Sequence, residues 1–81
     1  MEGPYTKQWL IDEIKQIVLR NSGGCKINYI ISEYEVIKAM IVLNIYAIEL
    51  DLFIEQNIPE LGVLRYEYNS REKAFVYCPA N

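Results

Sequence analysis

The chain contains no histidine, and in its 81 residues it has only two cysteines, three prolines and four glycines. Without histidine it lacks the usual general base near neutral pH, the commonest zinc ligand and the partner of a serine or cysteine nucleophile. The cysteines do not form a CxxC pair, so neither a zinc spacing nor a thioredoxin-type redox motif is present. Gly23-Gly24 lacks the spacing and the Lys-Ser/Thr of a phosphate-cradling loop. Glu33 and Glu35, like Glu49 and Asp51, lie two apart, a spacing that does not bring side chains together on a helix. No catalytic, cofactor-binding or metal-binding residue is assigned, no small-molecule ligand is evident, and the protein is not expected to be an enzyme.

Positive charge is also scarce. Eight Lys and Arg stand against eleven Asp and Glu, for a net charge of −3, which argues against a strongly basic nucleic-acid wrapper. Long apolar runs are missing as well. The longest uncharged one spans residues 39–48 and contains Asn44, whereas a membrane span needs about 20 apolar residues. The first residues lack the basic start of a signal peptide, and Asp12 and Glu13 interrupt the apolar stretch nearby. A soluble, intracellular protein with no membrane partner is expected.

What the chain does have is isoleucine, twelve times, and tyrosine, seven times, within a 52% hydrophobic composition. That excludes a disordered chain. Ordering each residue costs about 1.5 kcal/mol, so a domain this small must bury nearly all its apolar side chains. One domain over 1–81 follows from the length.

The pattern divides into elements. Leu10, Ile11, Ile14, Ile17 and Val18 recur at helical spacing and predict a helix over 5–20, with Pro4 near its start and Asn21-Ser22-Gly23-Gly24 as its stop. Cys25, Ile27 and Tyr29 alternate with polar residues and predict a strand over 25–30. Ser32 and Glu35 make an S-x-x-E capping box, with Ile31 and Val36 placed as a hydrophobic staple, opening a helix over 33–43 whose buried stripe is Val36, Ile37, Met40 and Ile41. Asn44 is a candidate N-cap for a further helix over 45–57. One continuous helix over 33–56 is the alternative, since no Gly or Pro enforces a break. Pro59 biases Ile58 away from helical angles and ends the helical region, and Gly62 closes the connection. Alternation in Leu64, Tyr66 and Tyr68, returning through residues 73–78, predicts a hairpin over 63–78 that Pro79 terminates.

Helix, strand, helix, helix and a two-stranded hairpin form an α+β order that resembles the winged helix-turn-helix family. Leu52…Leu61-Gly62-Val63-Leu64-Arg65-Tyr66 is similar to that family's passage from third helix into wing. With the Ile- and Tyr-rich composition, the chain resembles the small winged-helix proteins of crenarchaeal viruses, such as those of Sulfolobus, which would place it in the host cytoplasm. The resemblance implies three helices plus a small antiparallel sheet, and a dimeric transcriptional regulator that binds double-stranded DNA. Its third helix would enter the major groove and its wing would lie on the backbone or minor groove. The nucleic-acid-binding candidates are then Arg65, Arg71 and Lys73 of the wing, with Tyr46 and Gln56 of the third helix. The three wing cations also read as a plain solvated hairpin tip. The resemblance makes the first and last strands neighbours, so Cys25 and Cys78 are disulfide candidates; packed free thiols, or a bridge between subunits, are the alternatives.

Residues 44–57 contain Glu49, Asp51 and Glu55 and no Lys or Arg. Carboxylates in a groove repel phosphates, which favours a protein-interaction module as the alternative function. Ile45, Leu50, Ile54 and Tyr46 span more than half of one helix's circumference, so some must be exposed. Ile45, Leu50 and Ile54 are accordingly the candidate homodimer interface.

Overall fold

The structure is a computed structural model that describes residues 5–21, 24–65 and 73–78; of Leu64 and Arg65 it describes the backbone alone. Helix α1 (Lys7–Leu19) is opened by Thr6, whose Oγ1 accepts from the Trp9 N–H at 3.0 Å, satisfying one of the orphan donors of the first turn. Its buried stripe is Leu10, Ile14, Ile17 and Val18, as the period predicts. Asn21 closes the other end by donating from Nδ2 to the Ile17 carbonyl at 2.7 Å. Gly24 follows at φ 109°, where a side chain would be strained.

The expected strand over 25–30 is shorter than its alternation suggested. Strand β1 is only Cys25–Lys26, and the chain then coils into a short helix, α2 (Ile27–Ile31). Coiling drops Ile30 into the core, where an extended chain would have buried Tyr29 instead. Ser32 terminates α2: its Oγ donates to the Tyr29 carbonyl at 2.7 Å. The predicted capping box therefore does not form, and helix α3 (Tyr34–Leu43) begins after Glu33 with no side-chain cap. Glu35 is drawn away to accept from the Tyr5 hydroxyl, which ties the start of α1 to the start of α3.

Helix α3 does end at Leu43, which removes the continuous-helix alternative, but Asn44 acts opposite to expectation. It sits in the left-handed region (φ 61°, ψ 43°) as the stop of α3. The Ile45 N–H reaches back to the Met40 carbonyl at 2.9 Å, the six-to-one bond of a Schellman close. One 3₁₀ turn (Ala47–Glu49) precedes helix α4 (Leu50–Asn57), so the predicted helix over 45–57 is α-helical only from Leu50. Ile58 leaves the helical region before Pro59 (φ −128°, ψ 82°), as expected.

Strands β2 (Leu61–Arg65) and β3 (Lys73–Tyr77) complete an antiparallel sheet in the order β1-β3-β2. Gly62 lies within β2 and does not close the loop before it. Pro79 lies outside the described residues, as do Pro4 and the hairpin tip 66–72. Helices α1, α3 and α4 and strand β3 supply most of the core, with Phe75 of the central strand its largest fully buried side chain. Among the described residues, no helix is long and apolar enough to cross a membrane.

Candidate interaction surface

The outer side of α3 carries Ile37 and Ile41, while Val36, Ala39 and Met40 face the core. After Asn44 turns the chain, Ile45 packs partly into the core and Tyr46 remains outside. The 3₁₀ turn then projects Ile48 almost wholly into solvent, at 88% exposure. That projection is fixed by backbone chemistry. The Glu49 N–H donates to the Tyr46 carbonyl at 2.9 Å, and the Glu49 carboxylate accepts from the Tyr46 N–H at 3.4 Å. Leu52 extends the apolar surface onto α4.

Two hollows flank the projecting isoleucine. One, of about 210 Å³, is lined by Ile31, Ile37, Met40, Ile41, Ile45, Tyr46 and Ala47, and contains no charged residue. The other, of about 260 Å³, is lined by Ile45, Glu49, Leu52, Phe53 and Gln56. Ile45 lines both.

The carboxylates of α4 point elsewhere. Asp51 and Glu55, one turn apart, converge on Lys73 of β3 at 3.3 and 2.5 Å. The hydrogen bond that Lys73 donates to Glu55, with support from Asp51, holds the Lys73 ammonium above the ordinary lysine range. Because its folded value is raised, its contribution to stability is complete below the unfolded lysine pKa of about 10.4 and drains as pH rises through the higher folded value. Lys73 is therefore expected to titrate above the ordinary lysine range when its ε-CH₂ is followed by NMR, and Glu55→Gln should lower its pKa. Titration of Lys73 within the ordinary lysine range would contradict the ion triad.

Of the predicted nucleic-acid residues, Arg65 of β2 stands opposite Lys73 of β3 in the ladder. Lys73 is committed to α4, Arg71 lies outside the described residues, and of Arg65 only its place in β2 is known. Tyr46 and Gln56 are exposed, both beside the apolar hollows. The interface assignment needs correction. Leu50 and Ile54 are fully buried, and Ile45 is half-buried. These three form the core stripe of the α4 region, because α4 starts at Leu50 and its i, i+4 row faces inward. Ile48 and Leu52 are exposed residues that the sequence does not single out. Ile37 and Ile41, expected on the buried stripe of α3, are exposed as well, because Ala39 and not Ile37 or Ile41 joins Val36 and Met40 in the core. The apolar surplus of the region was visible, but its phase depended on a turn that no residue announces.

The disulfide expectation is also corrected: both cysteines are free. Strand β1 does pair with β3, but Cys25 pairs with Phe75 and shares its inward face. Cys78 lies three residues further, about 10 Å along the strand and on the opposite face. Its Sγ sits over Gly62 on that outer side, 2.6 Å from where an alanine Cβ would be. Burial, helped by the charge of Glu33, raises the Cys25 thiol pKa and keeps it protonated.

Among the described residues, no cluster of acidic and cysteine side chains could hold a metal ion. No protein family, curated protein or solved structure matches the chain.

Proposed function

We propose that the chain is a winged-helix domain that works by protein contact through the apolar α3–α4 face, and that α4 does not read DNA. The winged-helix reading is supported by the helix-strand-helix-helix-strand-strand order, to which α2 is an insertion, and by β1 lying beside β3. The observation that carries the functional reading is the character of the exposed side of the last helical segment. It offers Ile48, Glu49, Leu52 and Gln56, and no cation, where a DNA reader needs bases for phosphates and polar groups for base edges. Large exposed apolar surfaces on small proteins mark contact sites.

A DNA-binding regulator is the second reading, and one observation favours it. Lys73 draws Asp51 and Glu55 toward the sheet, which leaves Glu49 as the remaining carboxylate of residues 44–57. Contact would then run through the wing, by Arg65 and Arg71. Fluorescence anisotropy with a random duplex at two salt concentrations separates the two. The interaction reading expects no binding tighter than millimolar even at low salt. Micromolar binding that weakens steeply with salt, and is lost in Arg71→Glu, overturns it in favour of the regulator. Arg71→Glu is used alone because Lys73→Glu would set three carboxylates against one another.

A further inference from the structure

The occupant of the α3–α4 face can be deduced from its shape, charge and size. We infer that it is a second copy of this chain, related by a two-fold axis, with Ile48 of each copy seated in the hollow beside Tyr46 of the other. This deepens the protein-contact reading and rests on it.

Shape is the first argument. A two-fold contact joins one patch to itself, so the patch must carry its own complement. Here a projecting isoleucine stands directly beside a hollow of about 210 Å³ with apolar walls, next in sequence to Ala47 and Tyr46 that line it. A largely exposed isoleucine side chain and a hollow lined by no charged residue are a matched pair on a single surface.

Charge is the second. Two copies of a chain with net charge −3 repel at long range, so self-contact needs a face free of like charges. The hollow beside Tyr46 is lined by no charged residue. Glu49, whose side chain is exposed, lines the second hollow and not this one. A partner selected for opposite charge would leave a charged imprint on this surface, and none is present among the residues that line the hollow.

Size is the third. Ile37, Ile41, Tyr46, Ile48 and Leu52 are each exposed, from 38% to 88%, a small set against the roughly 20–30 residues a side of a standard interface. A typical stable interface buries about 800 Å² per partner, and weak ones bury less. The face is therefore small for an obligate dimer and falls in the size class of weaker, reversible contacts.

Sedimentation equilibrium of the full chain, from about 1 µM to about 1 mM, tests the inference. The expected result is a monomer–dimer equilibrium, insensitive to moderate salt, that Ile48→Asp weakens at least ~100-fold and Ile41→Asp also weakens. Leu19→Asp, at an exposed leucine on the last turn of α1, should leave the dimer intact. Ile48 and Ile41 are largely solvent-exposed, so circular dichroism should show both variants folded. A chain that stays monomeric throughout, or a dimer that survives both isoleucine substitutions, overturns the inference. The parent reading fails by a different result, salt-sensitive duplex binding in the anisotropy experiment. A monomer that ignores DNA therefore removes the second copy alone.

Discussion

Phe75→Ala is expected to unfold the domain, or to leave it only partly folded, in urea denaturation followed by far-UV circular dichroism. Phe75 is the largest fully buried side chain, on the central strand, paired with Cys25 of β1 on one side and Val63 of β2 on the other. Removing the ring gives up its transfer free energy and leaves a cavity that β3 cannot collapse into, because ladders on both sides hold the strand in place. Such truncations cost about 3–5 kcal/mol. A domain of this length has about 4–12 kcal/mol in total, so one side chain decides most of the margin. Cys78→Ala, three residues on and on the outer face, should shift stability by no more than about 0.5 kcal/mol. A loss of under 1 kcal/mol for Phe75→Ala would mean that the core is not organised around β3.

The same strand shows what the sequence makes legible and what it leaves hidden. The alternation over residues 73–78 announces a strand, and the register decides which face each residue takes. Register is a property of the pair of strands, fixed by how β2 and β1 dock, so no local pattern tells whether Cys78 meets Cys25. Its odd offset from Phe75 places it on the wrong side. Ser32 and Asn44 hide their roles for a related reason. Short polar side chains serve equally as the close of one element or the opening of the next. Ser32 turns back to Tyr29 and Asn44 takes a positive φ, because α2 and α3 each need a stop more than the following segment needs a cap. By contrast, α1 was legible throughout: its stripe is long, and glycine and asparagine mark its end. The break before Pro59 was equally plain, since that restriction is steric and local.

The candidate site was half legible. Its apolar excess is a compositional fact, visible in residues 36–54. Its orientation depends on helical phase, and phase is where a single 3₁₀ turn does most damage. Had residues 45–57 formed one regular helix, any of its isoleucines and leucines would have been a reasonable choice for the outside. Because α4 begins at Leu50, the row Leu50, Ile54 and then Ile58 turns inward, while Ile48 and Leu52 turn outward.

That difference of phase yields the second large effect. Leu50→Asp and Leu52→Asp introduce the same charge two residues apart in one helix, and they should behave oppositely. At Leu50 the carboxylate would be placed at a fully buried position among Ile54, Ile58 and the rest of the core, none of which can solvate or pair it. Together with the cavity from the lost isobutyl group, an unpaired buried charge costs more than about 4 kcal/mol. The variant is expected to be unfolded at room temperature, with collapsed amide dispersion in its NMR spectrum. At Leu52, just over half exposed on the rim of the second hollow, the carboxylate keeps its water. That variant should remain folded, with a stability change near 0.5 kcal/mol, and should lose part of its self-association. A folded Leu50→Asp protein beside an unfolded Leu52→Asp one would reverse the phase of α4 and return the interface to Leu50 and Ile54. If both variants fold and both dissociate the dimer, the face wraps around the helix. The two-fold packing of Ile48 against Tyr46 would then be too small a description of the contact.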